Sequence, residues 1–261
     1  MGSILVRDLL SRASKSLGDS APQFQRWTQV ELVNAANDGQ RAIAKYLPHS
    51  CARIDAIKLV DGTKQSIAAI PANRILPGDG SAAVAVQGNV LQFVSHNLGA
   101  DGLTAGAAIA IVDKDTLDAC SPNWHMAARP GKKPAEYTFD ARTPQIFYVN
   151  PGVPAGESVW VELSMLADPQ AIPNVGSEAY GALGASAQVL SIDDKYLDDL
   201  LNYVMARAHM KDAESQASAA LASGYVSLFL NSINAQGKAM TGVNPNLQSL
   251  PMNPQAAAMA R

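Results

Sequence analysis

The stretch that most constrains this chain runs from Arg26 to His49, RWTQVELVNAANDGQRAIAKYLPH. Thr28 followed three residues later by Glu31 is a capping-box pattern, in which each side chain satisfies the other residue's end amide. Pro48 cannot continue a helix and biases Leu47 out of helical geometry, so the pattern predicts a helix over 28–47. Trp27, Val30, Val33, Ala36, Ile43 and Leu47 recur at helical spacing and give one apolar face. The middle breaks this pattern with Asn34, Asn37, Asp38, Gly39 and Gln40. A glycine there weakens a helix by about 1 kcal/mol relative to alanine. Either another chain or element comes close at this point, a polar network is buried there, or the face is solvated and the glycine tolerated. With no chemistry for these residues to serve, the first reading predicts that Gly39→Leu blocks assembly more than folding.

The rest of the chain is arranged around that helix. Residues 4–17 read as a short amphipathic helix with Ile4, Val6, Leu9, Leu10 and Leu17 near one face. After Cys51 the period changes to strand-like alternation. Asp61-Gly62 is a two-residue hairpin signal between 53–60 and 63–68, and Gln87-Gly88-Asn89 is a second one between 83–86 and 90–94. Residues 70–81 read as loop, 96–106 as a Gly-rich turn, 107–112 as a short strand, and 115–124 as irregular, ending at a buried Trp124. Tyr137 and Phe139 sit in one strand, residues 145–150 form another that stops at Pro151, and 158–166 alternates with Val159, Val161, Leu163 and Met165 inward. Helix returns after Ile192, with Asp193 as cap, and a further helix covers 213–231.

The predicted class is α+β: a helical bundle formed by N- and C-terminal helices, an inserted antiparallel β barrel or sandwich, and an extended C-terminal tail. The expected divisions are 1–50 with 189–236 for the bundle, 51–166 for the β module, 167–188 as a linker or arm, and 237–261 as an extension. That extension, with Pro245, Pro251 and Pro254, has too little to form its own core and orders only on another surface.

Composition narrows the function. The 261 residues are 48% hydrophobic but only 16% charged, which hints at surface covered by partners. A net charge of -3 argues against a non-specific nucleic-acid coat. Cys51 and Cys120 stand alone, as in a reducing compartment, and imply no disulfide framework. Arg7, Asp8, Arg12 and Lys15 interrupt any signal-peptide run, and no apolar run reaches membrane-spanning length.

No catalytic constellation emerges. His49, His96, His125 and His209 lack metal-ligand spacing, and no phosphate-binding or nucleophile motif is present. Asp113, Asp115 and Asp118 lack the glycine and terminal glutamate of a calcium loop. No enzyme activity, cofactor or metal is expected. Arg129, Lys132 and Lys133 form a basic loop better suited to an acidic protein partner than to nucleic acid. Trp160 sits among polar strand neighbours and is a candidate contact with an adjacent subunit.

Several segments resemble the head-to-tail adaptor (connector) proteins of tailed bacteriophages. They are RWTQVELVNAANDGQRAIAKYLP, IKLVDGTKQSIAAIP, LDACSPNWHM, EYTFDARTPQIFYVNP, VWVELSML and IDDKYLDDLLNYVMARAHMKDAESQASAALASGYVSLFL, spread from about Leu5 to Leu230. Residues 84–106 are longer and richer in glycine than that pattern. The resemblance implies a virion neck protein with no active site, a homo-oligomeric ring of twelve copies between the portal protein and a tail or nozzle protein. Genomic DNA would pass through it without sequence-specific binding, and no membrane would be involved. Under that reading Asn34, Asn37, Gly39, Gln40, Trp160 and Gly224 are subunit-interface candidates. Met240, Val243, Leu247, Leu250, Met252 and Arg261, in the C-terminal extension, are portal-binding candidates, and the basic loop faces the tail. The alternatives are a stopper or tail-completion protein of the neck, and a carbohydrate- or receptor-binding β module with Trp160 or Tyr148 as a stacking platform.

Overall fold

The computed structural model describes residues 3–19, 26–125, 133–173, 188–212 and 215–243. The chain divides into two compact units, residues 1–50 with 171–261, and residues 51–170. The protein is α+β, with five α-helices and two open sheets among the described residues.

In the first unit, helix α1 (Val6–Leu17) buries Val6, Leu9, Leu10 and Ala13, the 3–4 spacing of one helix face. It ends at Gly18, whose positive φ of 68° lets the turn close back on Lys15 and Ser14. Helix α2 (Gln29–Tyr46) starts on the expected capping box. The Thr28 amide donates to Glu31 Oε2 (3.0 Å) and the Glu31 amide to Thr28 Oγ1 (3.3 Å).

Helix α4 (Leu197–Met210) does not begin on Asp193. A 3-10 turn over Asp194–Tyr196 precedes it, and the Asp193 side chain makes no cap hydrogen bond. Asp194 instead accepts the Ser3 amide (2.7 Å), the Ser3 hydroxyl (2.5 Å) and the Ile4 amide (3.2 Å). These bonds hold its carboxyl below the usual carboxylate range. Helix α5 (Gln216–Val243) runs further than the sequence implied, so residues 237–243 are helical rather than extended. No proline falls between Gln216 and Pro245, and Gln236 is fixed by donating to the buried Asp199 carboxylate (2.7 Å).

Among the described residues the second unit carries nine strands: β1 (Ala52–Lys58), β2 (Gly62–Ser66), β3 (Ile75–Pro77), β4 (Gly88–Leu98), β5 (Ala105–Ala108), β6 (Ala110–Ile111), β7 (Glu136–Phe139), β8 (Ile146–Val153) and β9 (Trp160–Ala167). They form a five-stranded sheet ordered β3-β1-β9-β4-β5 and a four-stranded sheet ordered β2-β8-β7-β6, with β6 parallel to β7. Ile57, Leu91, Val161, Leu163 and Met165 of one sheet share a core with Tyr137, Phe147 and Val149 of the other. Both sheets keep free edges, so neither is a closed barrel.

Neither predicted hairpin forms. Asp61-Gly62 carries the chain from β1 in one sheet to β2 in the other. The reason is Gln65, whose side-chain amide takes the place of a partner strand. Its Oε1 accepts the Val60 amide (2.8 Å), and its Nε2 donates to the carbonyls of Val60 (2.7 Å) and Gly62 (3.2 Å). At the second site, residues 83–86 pair only through an isolated bridge between Val86 and Ile70. Gly88 does not turn there; it passes so close to Ile67 that a Cβ would sit 2.8 Å from the Ile67 carbonyl oxygen. The long β4 then pairs with β9 and, after a turn at 99–104, with β5.

Residues 114–120 are not irregular. They form helix α3 (Lys114–Cys120), capped by Asp113, whose carboxylate accepts the Asp115 amide (3.1 Å). Asp118 accepts the indole N–H of the buried Trp124 (2.8 Å). Two of the three acids considered for a cation are therefore used locally. Strand β8 continues through Pro151 and pairs Val153 with Gly62, because a proline is tolerated where no ladder N–H is required.

Candidate assembly surfaces

The polar middle of α2 is used within the chain itself. Asn37 Nδ2 donates to the carbonyl of Ile172 (3.0 Å), and Asn37 Oδ1 accepts the Ile172 amide (2.8 Å). One turn on, the buried Gln40 accepts the Ser191 amide on Oε1 (3.0 Å). Residues 171–173 and 188–191, the two described ends around 174–187, are thus fastened to one helix. The second end is also paired with the N-terminus by a bridge between Val189 and Leu5. Gly39 lies between them, buried, and a Cβ there would stand 2.5 Å from Leu200 Cδ1 and 3.0 Å from Tyr203 Cδ1. The close approach predicted for this glycine comes from α4 of the same chain. Asn34, by contrast, is exposed.

The start of α2 is joined to the end of α4. Trp27 donates its indole N–H to the Ala208 carbonyl (2.9 Å). Lys211 donates to the Arg26 carbonyl and to both oxygens of Glu31, each at 2.9 Å. That ammonium holds the Glu31 carboxyl below its ordinary value, against the opposing effect of burial. Between the two helices lies a groove of about 400 Å³ with Trp27, Leu32, Ala35 and Met210 in its lining. Its charged rim is paired across the groove, Lys211 with Glu31 at 2.9 Å and Arg207 with Asp38 at 3.9 Å.

Helix α5 presents a different surface. Ala222, Phe229 and Ile233 are buried, Phe229 meets Tyr203 edge-on (5.3 Å), and Tyr225 stacks on His209 (5.7 Å). Leu221 and Leu228 are 50% and 55% exposed, and Gly224 between them has nothing within 4 Å of its Cβ position. No charged residue occurs from Gln216 to Gln236, and this run is the signal by which the sequence could have singled out Leu221 and Leu228.

In the second unit, Trp160 is half-buried and packs within its own unit, against Gly102. A Cβ on Gly102 would meet the indole at 3.0 Å and Leu76 at 2.6 Å. Tyr148 lies in the other sheet, edge-on to Trp124 (6.0 Å), so the two aromatics considered for a stacking platform do not share a sheet face. Lys133 donates to the Leu98 carbonyl (3.0 Å). Arg129 and Lys132 lie outside the described residues, as do Leu247, Leu250, Met252 and Arg261. Met240 and Val243 belong to the last turn of α5. The outer face of the five-stranded sheet exposes Ile54 (51%) and Phe93 (44%), on either side of Ser164.

Among the described residues no group of three or more His, Cys, Asp or Glu could hold a metal ion. No described helix is long and apolar enough to cross a membrane. Neither Cys51 nor Cys120 is part of a disulfide.

What these units offer is surface: a helix face and a sheet face that are apolar and exposed, and a groove with an apolar floor. The model of one protein family, described as SU10 adaptor protein, matches residues 5–248, nearly the whole chain. No curated protein matches the chain.

Proposed function

This chain belongs to the SU10 adaptor protein family, and from that premise we propose that it is a structural protein of a bacteriophage neck, with no enzymatic role. Copies of the chain form a ring beneath the portal, twelve in number, which continues the DNA channel and gives the tail its docking surface. The observation that carries this reading is the family match over residues 5–248. The exposed, uncharged face of α5 supports it, because a contiguous apolar helix face in water marks an interaction site. The net charge of -3 suits a conduit, since a chain that does not neutralise phosphates lets DNA slide.

The test is electron microscopy of the full chain mixed with the portal protein and with the tail, each separately. A ring seated on the portal, with the tail on its far side, is the expected result. A ring that binds only below another neck protein would make the chain a stopper. A chain that stays monomeric and binds neither partner would overturn the reading. Binding to duplex DNA that is tight and falls steeply with salt would remove the conduit argument.

A further inference from the structure

Resting on the ring reading above, we propose that the ring closes through two unlike surfaces of the helical unit: the exposed face of α5 of one copy seats in the α2–α4 groove of the next.

The first surface is one-sided in its need. The inner side of α5 is already occupied, by Phe229 against Tyr203 and Tyr225 against His209, both residues of α4. The outer side carries Leu221, Gly224 and Leu228, at three- and four-residue spacing. That spacing makes a narrow seam, the kind that enters a cleft rather than spreading over a flat wall. Gly224 is open, so a neighbouring backbone can come close between the two leucines. Leu221 and Leu228 are exposed in their own chain, so its own groove does not cover them.

The second surface fits an uncharged guest. The groove holds about 400 Å³, room for a few side chains, over Trp27, Leu32 and Ala35. Its rim charges are satisfied across the groove by Lys211 with Glu31 and Arg207 with Asp38. A charged guest would compete with those pairs. A guest without charge leaves them in place and only removes apolar surface from water. The chain itself supplies such a guest in α5, uncharged from Gln216 to Gln236. Because knob and groove are different surfaces, each copy keeps one of each after pairing. The contact is therefore heterologous, and it ends only when a ring closes.

The experiment uses two single-cysteine versions of the full chain, both with Cys51→Ser and Cys120→Ser. One adds Leu228→Cys on the seam, the other adds Asn34→Cys on the exposed rim of the groove. The expected result is a disulfide between copies in the oxidised mixture and its loss when either version is oxidised alone. Leu221→Cys serves as a second seam reporter should Leu228→Cys fail to fold. Disulfides in the Leu228→Cys version alone would mean pairing of α5 with α5 and would overturn the proposal. Rings visible by microscopy without the mixed disulfide would overturn it while leaving the ring reading intact. Wild-type chain that forms no ring, free or on the portal, would overturn both. Leu228→Lys should lose ring particles with its unfolding temperature unchanged; rings that persist would again overturn the proposed contact.

Discussion

Asn37 and Ile172 exchange two hydrogen bonds, the side-chain amide of one with both backbone groups of the other. The geometry imitates a strand pair, with a helix residue standing in for the partner strand. Ile172 itself is buried at 3% exposure, so its backbone groups have poor access to water. Asn37→Leu removes both bonds and leaves that donor and acceptor unsatisfied. A buried polar group left without a partner costs about 1–3 kcal/mol. The expected outcome is a lower urea midpoint with an unchanged slope, and faster exchange of the Ile172 amide proton. Asn37→Asp keeps the acceptor and loses the donor, so it should fall between wild type and Asn37→Leu. An unchanged midpoint for Asn37→Leu would remove the anchoring role.

Gly39 and Gly224 sit in helices and should respond to alanine with opposite signs. At Gly39 the new methyl meets Leu200 Cδ1 at 2.5 Å, and overpacking a core costs about 1–3 kcal/mol. That exceeds the gain of roughly 1 kcal/mol from replacing glycine in a helix interior. At Gly224 nothing lies within 4 Å, so the helix gain stands alone. Thermal unfolding of the two variants checks this: Gly39→Ala should melt lower than wild type and Gly224→Ala higher. Gly39→Leu is therefore expected to impair folding first, rather than assembly more than folding, because the crowding is within the monomer. A Gly39→Leu chain that folds with a normal melting temperature would overturn this.

What the sequence made legible was local. The capping box at Thr28 and Glu31, the α1 face of Val6, Leu9 and Leu10, and the inward row Val159, Val161, Leu163 and Met165 each depend on a few neighbouring residues. What it hid was pairing at a distance. Asp61-Gly62 has hairpin chemistry, yet the strands on either side enter different sheets because Gln65 turns its side chain onto Val60. Asn37 and Gln40 read as a polar defect because their partners, Ile172 and Ser191, lie more than a hundred residues away. Asp193 has a good cap identity, but a 3-10 turn comes first and moves the helix start to Leu197. Of the candidate surfaces, Gly224 was visible as a small residue on a helix. That Leu221 and Leu228 flank it in the open depends on which face Tyr203 and His209 cover, and this is tertiary information.

Gln65 is 1% exposed and makes three hydrogen bonds to the backbone between β1 and β2. Gln65→Leu keeps the bulk and removes all three. The Val60 amide and carbonyl then lose this side-chain partner at the point where the chain changes sheet. Val60 is itself exposed, so water can take over part of this pairing, and the expected loss is about 1–3 kcal/mol for the hydrogen bonds removed. Denaturant unfolding of the full chain measures the loss, and amide exchange localises it. Val60 and its neighbours should lose protection first while the amides of α2 keep theirs. Equal loss of protection in α2 would mean that Gln65 holds more than the crossover.

His49 lies half-buried in the 3-10 turn Pro48–Cys51, with Nε2 buried and without a hydrogen-bond partner among the described residues. Burial, and secondarily the positive charge of Lys195, hold its pKa below the ordinary 6.5. The folded state therefore prefers the neutral ring more than the unfolded state does. Above the unfolded value of about 6.5 both states are neutral and the full stability is present. As pH falls through that value the unfolded chain takes up the proton first, so stability is lost down to the folded pKa and levels off below it. His49→Gln cannot titrate and should escape this loss. The stability of wild type minus that of His49→Gln, measured from roughly pH 8 to pH 5, should decline on the acid side. The imidazole resonances of His49 should titrate with a midpoint below 6.5, and Lys195→Ala should move that midpoint up. A flat difference curve, or a midpoint above 6.5, would show that the ring is neither desolvated nor sensitive to Lys195.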